Sequence, residues 1–154
     1  MNIVLKQQIL GATILAFFTA PAAEGGTPAI LEWHHTFTGD MLDVQPAAEE
    51  EQSETAKRFL ATAENGYRGD AAAVEDGAAL YLEKCAICHG LEGRGRMGPS
   101  LIDDTYVYDK NRTDKGMFET IWGGAAAAMT PFRGVLSQDQ ILRVMAYLRS
   151  LPGK

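Results

Sequence analysis

"EKCAICHG", residues 83–90, contains both cysteines of the chain and one of its three histidines. Cys85, Cys88 and His89 therefore fall within one turn's length of sequence. Two cysteines separated by two residues suit four chemistries: a disulfide, half of a zinc site, a redox dithiol, or, with histidine following directly, the covalent anchor of a haem. The rest of the chain decides among them.

Three of the four need partners that the sequence does not supply. A two-residue gap is not the spacing of a structural staple, and a redox dithiol expects a βαβ setting that is missing here. A tetrahedral zinc site needs two further ligands, and only His34 and His35 remain, far upstream. Cys-x-x-Cys-His matches c-type haem attachment. Two thiols add across the two vinyl groups on one porphyrin edge, and the next residue's imidazole reaches the iron.

The 154 residues are enough for one domain with a modest core. Hydrophobic residues make up 46% and charged residues 22%, which excludes wholesale disorder. Acidic residues outnumber basic ones 20 to 14, so the basic footprint of a nucleic-acid binder is missing. A basic protein partner remains compatible with this charge.

The first residues read as an export signal. Lys6 provides a positive start, "ILGATILAFFTA" (9–20) an apolar stretch of about a dozen residues, and Ala20 and Ala22 a small-residue cleavage pattern. Cleavage after Ala22 is expected, with an uncleaved anchor as the alternative; the apolar stretch is short for a bilayer span. Loss of Lys6 makes the formal net charge of -6 more negative by one.

The residues before the motif form the face of a helix. In "DAAAVEDGAALYLEK" (70–84), Val74, Gly77, Ala78 and Tyr81 share a stripe with Cys85, with Asp70 as N-cap. Gly77 is costly inside a helix unless another backbone comes close, so a helix crossing is expected there. The partner is "LSQDQILRVMAYLRSLPG" (136–153). It pairs Ser137 with Gln140 in capping-box spacing and aligns Ile141, Val144, Met145, Leu148 and Leu151. Tyr147 beside that stripe is placed to meet Gly77 or Tyr81.

Between these helices the chain is glycine-rich. "GLEGRGRMGPSLIDD" (90–104) reads as an irregular loop, "KGMFETIWGG" (115–124) as a short helix closed by Gly123 and Gly124, and "AAAAMTPFRGVL" (125–136) as a second loop. No strand–helix alternation suggests a parallel sheet. Upstream, alternating Leu31, Trp33, His35 and Phe37 before Thr38, Gly39 and Asp40 suggest a small hairpin. A helix should then start near Ser53, with Phe59 and Leu60 inward and Gly66 at its stop. Neighbouring His34 and His35 would point opposite ways on a strand, as packing or surface residues.

A haem leaves a sixth ligand to find. Met145 lies on the apolar stripe, and Met97 stands eight residues after His89, too near to reach the opposite face easily. Met129 is forty residues after His89, in a loop directly before Thr130 and Pro131, where an extended backbone can aim it at the ring. Met117, His35 and His34 are the remaining candidates.

The run "EDGAALYLEKCAICHG" (75–90), "GPSLIDDTYVYDKNRTDKGMFETIWGGAAAAMTPFRG" (98–134) and "MAYLRSLPG" (145–153) resembles class I cytochromes c. More narrowly, "TDKGMFETIWGG" (113–124) with its following methionine, together with "HTFTGDMLDV" (35–44) and "KRFLATAENGY" (57–67), is similar to cytochrome cL. That family accepts electrons from periplasmic quinoprotein methanol dehydrogenases, and the likeness is to the shorter form serving lanthanide-dependent enzymes. The resemblance implies an all-α class I cytochrome c fold wrapped around one covalent haem c. It further implies Cys85 and Cys88 as thioethers and His89 and Met129 as axial iron ligands. The organisation expected is a signal peptide over 1–22, an N-terminal arm over 23–52 and a cytochrome domain over 53–154.

The sequence departs from the family at Ala125 to Ala128, where glycine and asparagine commonly flank the methionine. This run is either a docking rim or an extension of the preceding helix. Some members bind calcium near the haem, for which Asp103, Asp104 and Asp109 are the acids to consider. Trp122, Phe118, Tyr106 and Phe132 are candidates for the haem wall or for general core.

An imidazole and a soft thioether favour ferrous iron and raise the potential relative to two imidazoles. With both axial positions filled, no position remains for oxygen. The expected function is therefore a non-enzymatic, periplasmic one-electron carrier. Its expected partners are a PQQ-dependent alcohol dehydrogenase and a downstream cytochrome c or oxidase, with no nucleic acid and no stable membrane insertion. The rival is a haem enzyme or gas sensor with a displaceable sixth ligand.

Overall fold

A computed structural model describes residues 31–47, 50–126 and 128–153. The proposed signal peptide, the first residues of the arm and Ala127 lie outside them. Five α-helices and one 3₁₀ turn follow in order: α1 (Glu54–Thr62), α2 (Ala71–Lys84), α3 (Ala86–His89), the 3₁₀ turn (Asp109–Arg112), α4 (Asp114–Gly123) and α5 (Gln138–Ser150). The described residues include no strand longer than an isolated bridge. The all-α expectation holds.

The main packing is α2 against α5, and both helices start on the predicted caps. The Asp70 carboxylate accepts from Ala73 N, and Ser137 and Gln140 complete the capping box. At the crossing, a β-carbon on Gly77 would lie 2.1 Å from the Arg143 carbonyl oxygen. Glycine is there because two backbones touch. One turn on, Tyr81 meets Tyr147 with ring centroids 5.4 Å apart. Beside the crossing, Asp139 anchors Ser53 and Tyr67 and pairs with Arg143, tying α1 to α5.

Two boundaries differ from the sequence reading. Helix α1 ends not at Gly66 but at Ala63, which takes the left-handed conformation (φ 59°) and donates its N–H to Phe59 O. Phe59 is buried as expected, whereas Leu60 is only partly covered. The 3₁₀ turn also gave no apolar period to read, because none of its residues is buried.

The arm is a hairpin-like loop. His34 bridges Met41 in antiparallel fashion, and Leu42 N donates to Trp33 O. Trp33 and Leu42 enter the core, whereas Phe37, which alternation would place on the same face as Trp33, falls in the turn over 36–38 and is exposed. Trp33 packs on Phe59 and Phe118, each 5.5 Å away, and Phe118 stacks on Trp122. Glu119, almost fully buried, locks the arm to α4. It accepts from Lys110 Nζ (2.6 Å), Lys115 Nζ (2.5 Å) and His34 N (2.8 Å). Burial pushes this carboxyl up, but those three donors outweigh it and hold the pKa below the usual carboxylate value.

Candidate haem site

Cys85 ends α2, and α3 follows at once, carrying Cys88 and His89 on one tight turn. His89 N donates to Cys85 O at 2.9 Å and Cys88 N to the same oxygen at 3.1 Å. The three residues are thus brought to one end of the α2–α5 pair. Both thiols are free and partly covered. Burial, then the neighbouring Cys88, pushes the Cys85 thiol up to about 11, so it is held neutral in an apolar setting. Among the described residues no group of three or more His, Cys, Asp or Glu side chains is placed to hold a metal ion.

His89 is buried, and its ring is held by a loop that folds back on the motif. Gly98 N donates to Cys88 O and Gly95 N to His89 O, both at 2.8 Å. Gly98 lies flat against the imidazole, where a β-carbon would be 2.8 Å from Cε1. His89 Nδ1 is 2.9 Å from Pro99 O. A carbonyl can only accept, so this contact places the proton on Nδ1 and leaves the Nε2 lone pair for a metal. Pro99 was not singled out from the sequence. Its dipeptide Gly98-Pro99 marked only a loop, because the return path onto His89 is a tertiary fact.

Tyr81 supports the motif from below. Its hydroxyl donates to Gly90 O at 2.6 Å, and burial pushes its pKa up to about 12, so it remains a neutral donor throughout the ordinary pH range.

Met129 lies in the loop between α4 and α5. Of the five described methionines, Met117 and Met145 are fully enclosed in the core, while Met41 and Met97 are 66% and 74% exposed. Met129 alone is half-buried, packed against the core with a side left uncovered. Leu101, Tyr106 and Phe132 share that condition, as does Cys85. Apolar side chains from the motif, the return loop and the methionine loop are therefore only partly covered by protein. Partly covered apolar side chains of this kind are compatible with contact to a large apolar group. Phe118 and Trp122, by contrast, are wholly enclosed by protein side chains and form core rather than wall.

The loop around Met129 is tightly built. Helix α4 stops at Gly123, so the alanine run is not a helix extension over its described residues. Gly124 turns the chain with φ 76°, and a β-carbon there would meet Pro131 N at 2.8 Å and Met129 O at 2.9 Å. Ala125 N donates to Met129 O, and Ala126 N reaches the Tyr108 hydroxyl.

The other candidates are placed elsewhere. His34 Nδ1 faces Gly39 O, and His35 packs near Gly123, both within the arm. Asp103 caps Thr105 N and Asp109 faces Arg112.

Comparison with known proteins gives a consistent picture. Residues 72–148 match the family model for the cbb3-type cytochrome c oxidase subunit III. The cytochrome c-L of Methylorubrum extorquens is 37% identical over 147 residues, covering 93% of this chain and 74% of that protein. A cbb3-type oxidase subunit CcoP from Rubrivivax gelatinosus is 28% identical, and the chain spans only 42% of its length. Among solved structures, cytochrome cL from the marine methylotroph Methylophaga aminisulfidivorans has a TM-score of 0.77 at 43% identity, covering 79% of this chain and 81% of its own. Cytochrome cL from Hyphomicrobium denitrificans has a TM-score of 0.76 at 39% identity, with coverages of 80% and 75%.

Proposed function

The chain belongs to the cytochrome cL family of c-type cytochromes and is an electron-transfer protein rather than an enzyme; on that premise we propose that it is the periplasmic electron acceptor of a PQQ-dependent methanol or alcohol dehydrogenase. It passes electrons to a downstream cytochrome c or oxidase. The observation that carries the reading is the geometry of His89, whose Nδ1 is tied to Pro99 O directly after two free thiols.

In this proposal Cys85 and Cys88 would hold one haem c through thioethers, and His89 Nε2 and the Met129 sulfur would bind its iron. The haem, when bound, supplies a one-electron ferric/ferrous couple. The chain does the rest. The Pro99 carbonyl fixes the tautomer and orientation of His89, and Gly98 lets the backbone press against the ring. Leu101, Tyr106 and Phe132, partly covered and packed on the core, would serve as apolar walls that limit reorganisation as the charge changes. Among the described residues no helix is long and apolar enough to cross a membrane. The export signal over 1–22 and a membrane-free mature form are part of the same proposal.

The test is to mix reduced quinoprotein alcohol dehydrogenase with the holoprotein and follow haem reduction. Rapid reduction with no carbon monoxide binding supports the carrier. A high-spin haem that binds carbon monoxide readily, and is not reduced by the dehydrogenase, overturns it in favour of a sensor or enzyme.

A further inference from the structure

The loop bearing Met129 is closed at its neck by two backbone pairs: Phe132 N donates to Ile121 O at 3.0 Å, and Arg133 N to Trp122 O at 3.3 Å. Both members of the Trp122–Arg133 pair are also held by one residue of the N-terminal arm. The Asp43 carbonyl accepts from Trp122 Nε1 at 2.9 Å, and the Asp43 carboxylate accepts from Arg133 at 2.7 Å. The arm presses on the same place through His35 and Leu42, each 3.0 Å from where a β-carbon of Gly123 would lie. On the far side, Gln138 at the start of α5 donates its side-chain amide to Val44 O and its backbone N–H to Glu50. The arm is thus fastened before the loop, after the loop and at the next helix.

We propose that Asp43 is a positioning residue for the sixth iron ligand: by joining Trp122 to Arg133 across the loop neck, it keeps the Met129 loop shut over the haem. This rests on the reading of Met129 as axial ligand. Asp43 touches neither haem nor ligand and acts through the neck. Its carboxyl is held below the usual range, first by the Gln45 N–H and then by Arg133, so the pair with Arg133 is ionised at neutral pH. The pair is half-exposed, at 41% and 56%, so its contribution is modest and local. It governs how often the loop opens rather than whether the protein folds.

Opening is read by exogenous imidazole, which binds ferric iron only when the methionine has left. Its apparent affinity therefore scales with the open fraction. At neutral pH and low salt, Asp43→Ala and Arg133→Ala should each raise imidazole affinity by about threefold, the size of one exposed ion pair. The double variant should show no further increase. Arg133→Lys should restore part of the loss. Amide exchange at Ala125, Phe132 and Arg133 should quicken in step. Asp76→Ala breaks the comparable Arg143–Asp76 pair at the helix crossing and should leave imidazole affinity unchanged.

An unchanged affinity in Asp43→Ala, or an equal rise in Asp76→Ala, overturns the clamp while leaving the ligand assignment standing. If the native oxidised protein lacks a sulfur-to-iron charge-transfer band and Met129→Ala binds imidazole no more tightly, the ligand assignment fails and the clamp fails with it.

Discussion

Gly77 and Arg143 touch backbone to backbone: a β-carbon on the glycine would lie 2.1 Å from the arginine's carbonyl oxygen and 2.5 Å from its carbonyl carbon. On helix propensity alone, Gly77→Ala should stabilise by roughly 0.5–1 kcal/mol. The crossing reverses that sign. Prising α2 from α5 should destabilise the protein by about 1–3 kcal/mol. Denaturant unfolding of the variant, read as a lower midpoint at unchanged slope, checks this.

Gly98→Ala should act on the iron rather than on the fold alone. The new methyl would press on the His89 ring at 2.8 Å and loosen its bond to Pro99 O. That bond makes the imidazole a stronger donor to ferric iron. Weakening it should raise the reduction potential, measured by voltammetry on the holoprotein; an unmoved potential would count against the assigned role of Pro99.

Glu119 predicts an acid-sensitive lock. Its folded pKa lies below the usual 4.5, so its stabilisation is fully present above the unfolded value. The contribution is lost as pH falls through the folded pKa. Glu119→Gln leaves Lys110 and Lys115 without their counter-charge and should cost about 1–3 kcal/mol at pH 7, less than a fully buried pair because both lysines are partly solvated. The gap between native protein and variant should narrow as pH drops below about 4.5. Urea unfolding at several pH values decides it.

Net charge gives a kinetic expectation. With a formal charge of -6, approach to a basic partner surface should be steered over long range. Raising salt from low to physiological strength should slow haem reduction by the dehydrogenase by roughly tenfold. A salt-independent second-order rate would mean that docking is apolar or that the partner surface is not basic.

The sequence was most legible where chemistry or period is local. Cys85, Cys88 and His89 stand in an attachment pattern that spacing alone defines, and Asp70, Ser137 and Gln140 announce their helices by capping rules. Gly77 was readable because a glycine on an apolar helical stripe has few other reasons to be there. Met129 stood out by its loop position before Thr130 and Pro131 and by elimination of the other methionines, and its half-covered side chain is what separates it from Met117 and Met145. What escaped is what arises when distant loops return. Pro99 gains its role by lying beside His89, Ala63 takes a left-handed turn that composition assigns to glycine, and Glu119 looks like a solvated charge until two lysines and the arm close over it.

The helix crossing also bears on the order in which the chain closes. Arg143 pairs with Asp76 across 67 residues of sequence, so the α2–α5 contact closes a large loop at an entropic cost of about 4 kcal/mol. All four proposed haem contacts lie inside that loop. A chain already fastened to its cofactor at Cys85, Cys88 and His89, and then drawn to Met129, has a shorter stretch left to close. Attachment should therefore accelerate folding as well as stabilise its product, and α2 and α5 become the last door to shut on the haem.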